Sequence, residues 1–449
     1  MKKYTLGLII FALFAVPVLI FCINGFKPID SLMGPPKLEG ENLEIQLAFE
    51  KSVEKGYKLK SPIVGDYRSA YIFKDLDSDG QNEVIVFYST ETAVDIIRMN
   101  VLMKIDGVWK SVADYESSHS EIHRVNFSDL NNDKNKEIIV GWSVYQNELS
   151  RNLNVYKIFD TDEIQIASIF DSAYSEFDVL DVNGDSKQDI VIFDTDKRSE
   201  DSTYNLFMIN YSDDKFELTD SFALDSSITS IKSVKYDFDS KKHSRRIFID
   251  GYKTDSSLIT DCICYDQSLN CFERIAIDDI TVSSISSRNI NVLCADIDSD
   301  GRIEIPVIKQ IPKSRVISEG STQMQNQSIV EWVRFEDSQI KSVFHRIINS
   351  KSGFEIQLPE KLVNKITLSN NYRSNIMIFY ELLEDESGEL STGELLFSLY
   401  FRNSHDESRV PSEYRFLKET SNGEIYFRIH SSASEYGIDR TAISNMIIF

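Results

Sequence analysis

The chain has 449 residues, 42% hydrophobic and 27% charged, a balance that supplies a large core and excludes a disordered polymer. Its net charge of −23 comes with no basic stripe, which excludes a nucleic-acid binder because nothing is present to displace counterions from phosphates. The same surplus of carboxylates suits divalent cations, and it also solubilises a surface.

Residues 1–26 read as an export signal, with Lys2 and Lys3 ahead of an uncharged run from Tyr4 to Phe26. The run exceeds the roughly 7–15 residues of a signal-peptide core and approaches the ~20 that span a bilayer. Lysines in front and few cations close behind orient the following domain outward. Two tethers stay open. The length fits an uncleaved signal anchor, with Pro17 inside it, whereas LIFC ending at Cys22 resembles a bacterial lipoprotein cleavage box. Either one leaves the bulk of the chain outside the cytoplasm at a membrane. Residues 27–40, with Pro28, Pro35 and Pro36, read as a semi-extended spacer.

Residues 41–56 place Leu43, Ile45, Leu47, Ala48 and Val53 at helical spacing and predict a short amphipathic helix. From Tyr57 the texture turns to strands, punctuated by a nine-residue acidic pattern. It reads DLDSDGQNE from Asp75, DLNNDKNKE from Asp129, DVNGDSKQD from Asp181 and DIDSDGRIE from Asp296. A corrupted copy, DFDSKKHSR, begins at Asp237 in phase with the others. An interval of roughly 50–60 residues means one supersecondary unit used repeatedly. Each copy precedes a short apolar run, such as EVIVFY or DIVIFD, and two alternating segments follow, joined by turns such as Asp106-Gly107 and Asp213-Asp214.

Counting the strand before each loop gives four strands per unit, which predicts a mainly β fold: a β-propeller of about five four-stranded blades over residues 57–350. Pro306 falls within the fifth apolar run and calls for a bulge or an edge position there. Residues 353–449 lack the motif and read as a separate C-terminal α+β domain. The alternative is that they supply further, degenerate blades of a six- or seven-bladed propeller.

Positions 1, 3, 5 and 9 of each intact loop carry oxygen ligands spaced for calcium, a hard cation that takes six to eight of them. They are Asp75, Asp77, Asp79 and Glu83; Asp129, Asn131, Asp133 and Glu137; Asp181, Asn183, Asp185 and Asp189; Asp296, Asp298, Asp300 and Glu304. Gly80 and Gly301 at position 6 permit a sharp turn. Lys134 occupies that place in the second copy and the third has its glycine at Gly184, so the first and last copies are expected to bind most tightly. An EF-hand is excluded, because position 12 is Val86, Val140, Ile192 or Val307 rather than glutamate. In the corrupted copy Lys241 and Arg245 replace ligands five and nine. That copy is expected to keep the loop's shape without metal, the cations pairing with Asp237 and Asp239.

DLDSDGQNE and DIDSDGRIE resemble the calcium loops of FG-GAP or VCBS-type repeats, of the kind found in integrin α-subunit propellers and bacterial surface proteins. The resemblance spans about residues 66–310 and matches the metal half of the repeat. It implies an extracellular, calcium-stabilised propeller serving adhesion or ligand binding, and no particular partner.

Cys264 and Cys271 flank a predicted hairpin turn, so either a cross-strand bridge or buried thiols result; neither C-x-x-C nor a nearby histidine pair supports zinc. No G-x-S-x-G, H-E-x-x-H or phosphate-binding loop occurs, and Gly141-Trp142-Ser143 continues to Tyr145 rather than glycine. His119 and His123 have the spacing of a helical metal pair but fall among strands, and Trp109, Trp142 and Trp332 suit core packing more than a sugar face. The sequence therefore predicts a non-enzymatic, membrane-tethered scaffold that binds a protein or glycan at the cell envelope. The alternative is an exported glycan hydrolase or lyase using a carboxylate pair at the propeller mouth.

Overall fold

Each acidic loop opens into a strand that begins with a run of buried side chains. Val84, Ile85, Val86 and Phe87 are fully buried in the first such strand, as are Ile138, Ile139 and Val140 in the second. Continuous apolar runs of this kind mark strands covered on both faces. They occur in a computed structural model that describes residues 40–144, 147–160, 164–195, 203–241, 243–317, 327–336, 339–349, 353–372, 374–406 and 409–448. The apolar leader, Cys22 and the proline spacer lie outside the described residues. Among the described residues no helix is long and apolar enough to cross a membrane.

The protein is mainly β, built largely of antiparallel sheets whose strands follow one another in chain order. The first contains Tyr71–Lys74, Glu83–Thr90, Ala93–Ile105 and Val108–Glu116, with Lys58–Leu59 pairing beside Glu83–Thr90 as a fifth strand. The next three have four strands each: Glu121–Ser128 to Ile164–Ala173, Glu176–Leu180 to Lys215–Ala223, and Ser230–Asp239 to Cys271–Arg274. The fifth runs Ile305–Gln310, Ser328–Glu336, Gln339–Asn349, Phe354–Leu358, with Ile447–Ile448 added at its far edge. Pro306 thus sits on an edge strand, paired with Trp332 without a bulge, where its missing N–H costs no ladder bond.

The chain divides into two compact units, one reaching to Ile122 with Ile158–Ala167, the other His123–Lys157 with Ser168–Phe449. In the first, helix Glu41–Ser52 buries Ile45 and Phe49 against Val84, Val86, Tyr88, Leu102 and Trp109. Leu43 and Leu47, assigned to the apolar face from spacing, are 40% and 55% exposed. Phe49 is the anchor instead, enclosed edge-on by Tyr57, Tyr71 and Tyr88.

In the second unit, the period-two alternation of the strands distributes successive residues to opposite neighbours. Ile190 and Ile192 join Leu130, Ile139, Leu153 and Val155 in one core. Val191 and Phe193 join Ile247, Ile249, Ile259 and Ile263 in the next, and Phe248 packs with Ile305, Val307 and Val333 in a third. Phe354–Leu358 pairs with Gln339–Asn349, and Arg315–Ile317 pairs in parallel with Ile366–Asn371 of a six-stranded sheet. Both the sheets and the core that joins Ile311, Ile329 and Ile347 to Leu399 and Ile447 run across residue 353.

Candidate metal centres

One hydrogen-bond scheme holds all four intact loops. The acid at position nine turns back to accept the backbone N–H of position two. Glu83 Oε2 takes Leu76 N at 2.6 Å, Glu137 Oε2 takes Leu130 N at 3.0 Å, Asp189 Oδ2 takes Val182 N at 2.9 Å and Glu304 Oε2 takes Ile297 N at 2.8 Å. The aspartate at position one accepts the N–H of position six, from Gly80, Lys134, Ser186 and Gly301 at 3.3, 2.8, 3.0 and 2.9 Å. The acid at position five accepts the N–H of position seven at 2.7–3.0 Å in every copy. Position nine therefore locks the loop through a hydrogen bond of its own.

Positions four and six are left-handed throughout. Ser78, Asn132, Gly184 and Ser299 have φ of 60–77°, and Gly80, Lys134, Ser186 and Gly301 have φ of 70–89°. Lys134 and Ser186 hold a conformation that costs a side chain energy.

The carboxylates converge unequally. In the first loop, oxygens of Asp75, Asp77 and Glu83 lie within 4.8 Å of one another, while Asp79 is engaged by Gln81 N and Nε2. In the last loop it is Asp296, Asp298 and Asp300 that share such a group, without Glu304. Asn131 Nδ2 donates to Asp133 Oδ2 at 3.0 Å in the second loop, and Asn210 Nδ2 donates to Asp189 Oδ1 at 2.6 Å in the third.

Burial pushes the Glu83 carboxyl up to about 7, with Asp77 and Asp79 adding to it, and Asp189 likewise to about 7, with Asp185 and Asp181 adding. Burial also raises Glu137, whose Oε1 is enclosed without a hydrogen-bond partner. Crowded acids and an enclosed, unpaired carboxylate oxygen are what a hard divalent cation relieves. The residues of the first and second loops fit such an ion.

Two cations that the loop sequences do not contain reach the same carboxylates. Arg334 pairs through Nη2 with Asp298 at 2.7 Å, through Nη1 with Asp300 at 2.9 Å, and through Nε with Glu304. Lys157 Nζ lies 3.1 Å from Asp133 Oδ2 and 3.5 Å from Asp214 Oδ1, above the Tyr211 ring. Both occupy the strand position facing the acid at position nine, since Ile138 pairs with Tyr156 and Ile305 with Val333. In the first and third loops the same register places Met103 and Asn210 there.

The corrupted copy departs from expectation. Its segment does not keep the loop's shape, because Ser230–Asp239 and Ser244–Tyr252 zip together through Asp237↔Arg246 and Asp239↔Ser244. Without an acid at position nine nothing draws in the N–H of position two, and the ladder closes. The cation on Asp237 is Arg246 rather than Lys241 or Arg245, in a two-pronged pair at 2.6 Å to each oxygen. Arg245 stacks over Phe238.

Other candidates resolve into structure. His123 is buried with Nδ1 2.9 Å from the Tyr174 hydroxyl. Trp109, Trp142 and Trp332 are all buried. Cys262, Cys264, Cys271 and Cys294 form no disulfide, and Cys264 faces Glu273 while Cys271 faces Asp266, so the two are out of register for a bridge.

No family model matches the chain, and no curated protein matches it. Solved structures with a similar course include a putative 6-phosphogluconolactonase from Bacteroides uniformis, at 9% identity and TM-score 0.32, covering 75% of this chain and 94% of that one. A rhamnogalacturonan lyase from Bacillus licheniformis follows at 12% identity and TM-score 0.28, covering 75% and 71%. The exotype rhamnogalacturonan lyase YesX stands at 12% and 0.26, covering 76% and 65%. The expectation of a non-enzymatic chain is not upheld by these structures, which are all enzymes by name. At such identities and scores, no substrate or reaction passes from them to this chain.

Proposed function

We propose that the chain is an exported, membrane-tethered binding protein whose acidic loops take calcium and whose repeated sheets are blades of a β-propeller. The blades present a surface to a protein or glycan at the cell envelope. The observation that carries this reading is the loop scheme repeated four times, each copy leading into an apolar strand, which is the second of its sheet in the first three copies and an edge strand in the last. In the first loop it gathers Asp75, Asp77 and Glu83 about one point. Calcium suits these loops better than magnesium. It accepts irregular shells of carboxylates, amide carbonyls and backbone carbonyls, whereas magnesium demands near-ideal octahedra and gives up its water reluctantly. The uncharged run from Tyr4 to Phe26 behind two lysines supports export and tethering.

Calorimetric titration of calcium into the purified chain, beside fractionation of the producing cell, tests the reading. Saturable binding with a dissociation constant of ~10⁻⁴–10⁻³ M, typical of extracellular modules, together with recovery in the membrane fraction, is expected. A chain that takes up no calcium at 10-fold higher concentrations, or that stays in the cytosol, overturns it.

A further inference from the structure

The four intact loops share one backbone scheme, yet they differ in what faces their position-nine acid. That facing residue lies on the neighbouring strand, about twenty to thirty residues downstream, and its character varies: Met103, Lys157, Asn210 and Arg334. Opposite Glu304, the Arg334 guanidinium spends all three of its nitrogens on three different carboxylates of the last loop. Arg334 is 12% exposed and Glu304 is fully buried, so that pairing is shielded from water, while Asp298 and Asp300 meet the guanidinium nearer the surface.

Planar and permanently charged, a guanidinium so placed satisfies the oxygens that a divalent ion would need at 2.3–2.6 Å, and it repels that ion. Lys157 is a weaker version, since it reaches Asp133 and leaves Glu137 Oε1 without a hydrogen bond. Where the facing residue is methionine, as at Met103, it brings no positive charge to the acid.

We propose that Arg334 is a resident counter-ion which closes the last loop to metal, and that the residue facing position nine decides which loops of this chain remain open to it. The last loop therefore keeps the calcium-type sequence while its cation is supplied by the protein. This inference rests on the calcium reading of the other loops, but it fails separately from it.

The test is the number of calcium ions held by the full chain, measured by metal analysis after equilibrium dialysis, with thermal melting in calcium and in chelator. Asp298→Asn should leave the number unchanged and lower the melting temperature equally in both conditions. Asp77→Asn should remove one ion. Arg334→Met should add one ion and make the melting temperature more calcium-dependent than in the parent, and Met103→Arg should remove one. If Asp298→Asn removes an ion as Asp77→Asn does, calcium displaces Arg334 and the inference is overturned. A folded Arg334→Met chain that gains no ion also overturns it. A parent that binds none while Arg334→Met binds one retains this inference and sinks the calcium reading of the other loops.

Discussion

At the scale of single residues, the second unit's stability depends in part on a buried ion pair whose polar contacts are met within the fold. Arg288 and Asp250 are both inaccessible and pair at 2.6 Å. Thr260 Oγ1 and the Ser286 and Val292 carbonyls accept the other hydrogen bonds of Arg288, and Cys294 N donates to Asp250 Oδ2. Removing one partner strands the other charge, so Arg288→Met should cost about 3–5 kcal/mol in urea unfolding. Changing both residues to apolar ones should cost less than the two single changes added together. His123 offers a pH-dependent counterpart. Burial, with Arg151 and Arg124 adding to it, lowers its imidazole from 6.5 to about 4. The unfolded chain then binds the extra proton first as pH falls. The contribution is complete above about 6.5 and is lost between there and about 4, up to ~3 kcal/mol in all. Urea midpoints measured at pH 7 and pH 4.5 should converge in His123→Leu relative to the parent, whatever that variant's absolute stability.

At the scale of the element, the nine-residue loops store strain where non-glycine residues occupy left-handed positions, and the cost depends on what surrounds them. A Cβ on Gly80 would meet nothing within 4 Å, whereas one on Gly184 would lie 1.8 Å from the His243 carbonyl oxygen. Gly184→Ala should therefore destabilise by about 2–4 kcal/mol and Gly80→Ala by about 1 kcal/mol, both read from denaturant midpoints. Lys134→Gly should gain up to ~1 kcal/mol by relieving its φ of 75°. These loops and the strand after each were legible in the sequence, because both are local: oxygen ligands at fixed spacing, then an unbroken apolar run. Arg334 and Lys157 were not legible, since each reaches its loop through the register of a neighbouring strand. That register is set by hairpin length and bulges rather than by the motif. The exchange of Arg245 for Arg246 on Asp237 has the same origin, because a one-residue change along a strand moves a side chain to the opposite face. Phe49 escaped because one aromatic ring buried among three tyrosines outweighs a spacing count that favoured Leu43 and Leu47.

At the scale of the whole molecule, a net charge of −23 means that any added cation relieves some repulsion, so stabilisation by calcium alone would not establish a site. Specific and diffuse effects separate through salt. Diffuse repulsion between exposed carboxylates is screened over about 8 Å at 0.15 M ionic strength, whereas a buried group such as Glu83, Glu137 or Asp189 is screened much less. With the last loop closed by Arg334, as many as three loops remain. At calcium about tenfold above its dissociation constant, each contributes roughly 1.4 kcal/mol, or ~4 kcal/mol together. For compact units of this size that corresponds to a melting shift on the order of 10 °C. Chelation should produce this shift at 0.15 M sodium chloride and leave most of it intact at 0.5 M. Magnesium at the same concentration should restore only a small part. A shift that vanishes at 0.5 M salt, or that magnesium restores fully, would assign the stabilisation to the overall negative field rather than to the loops.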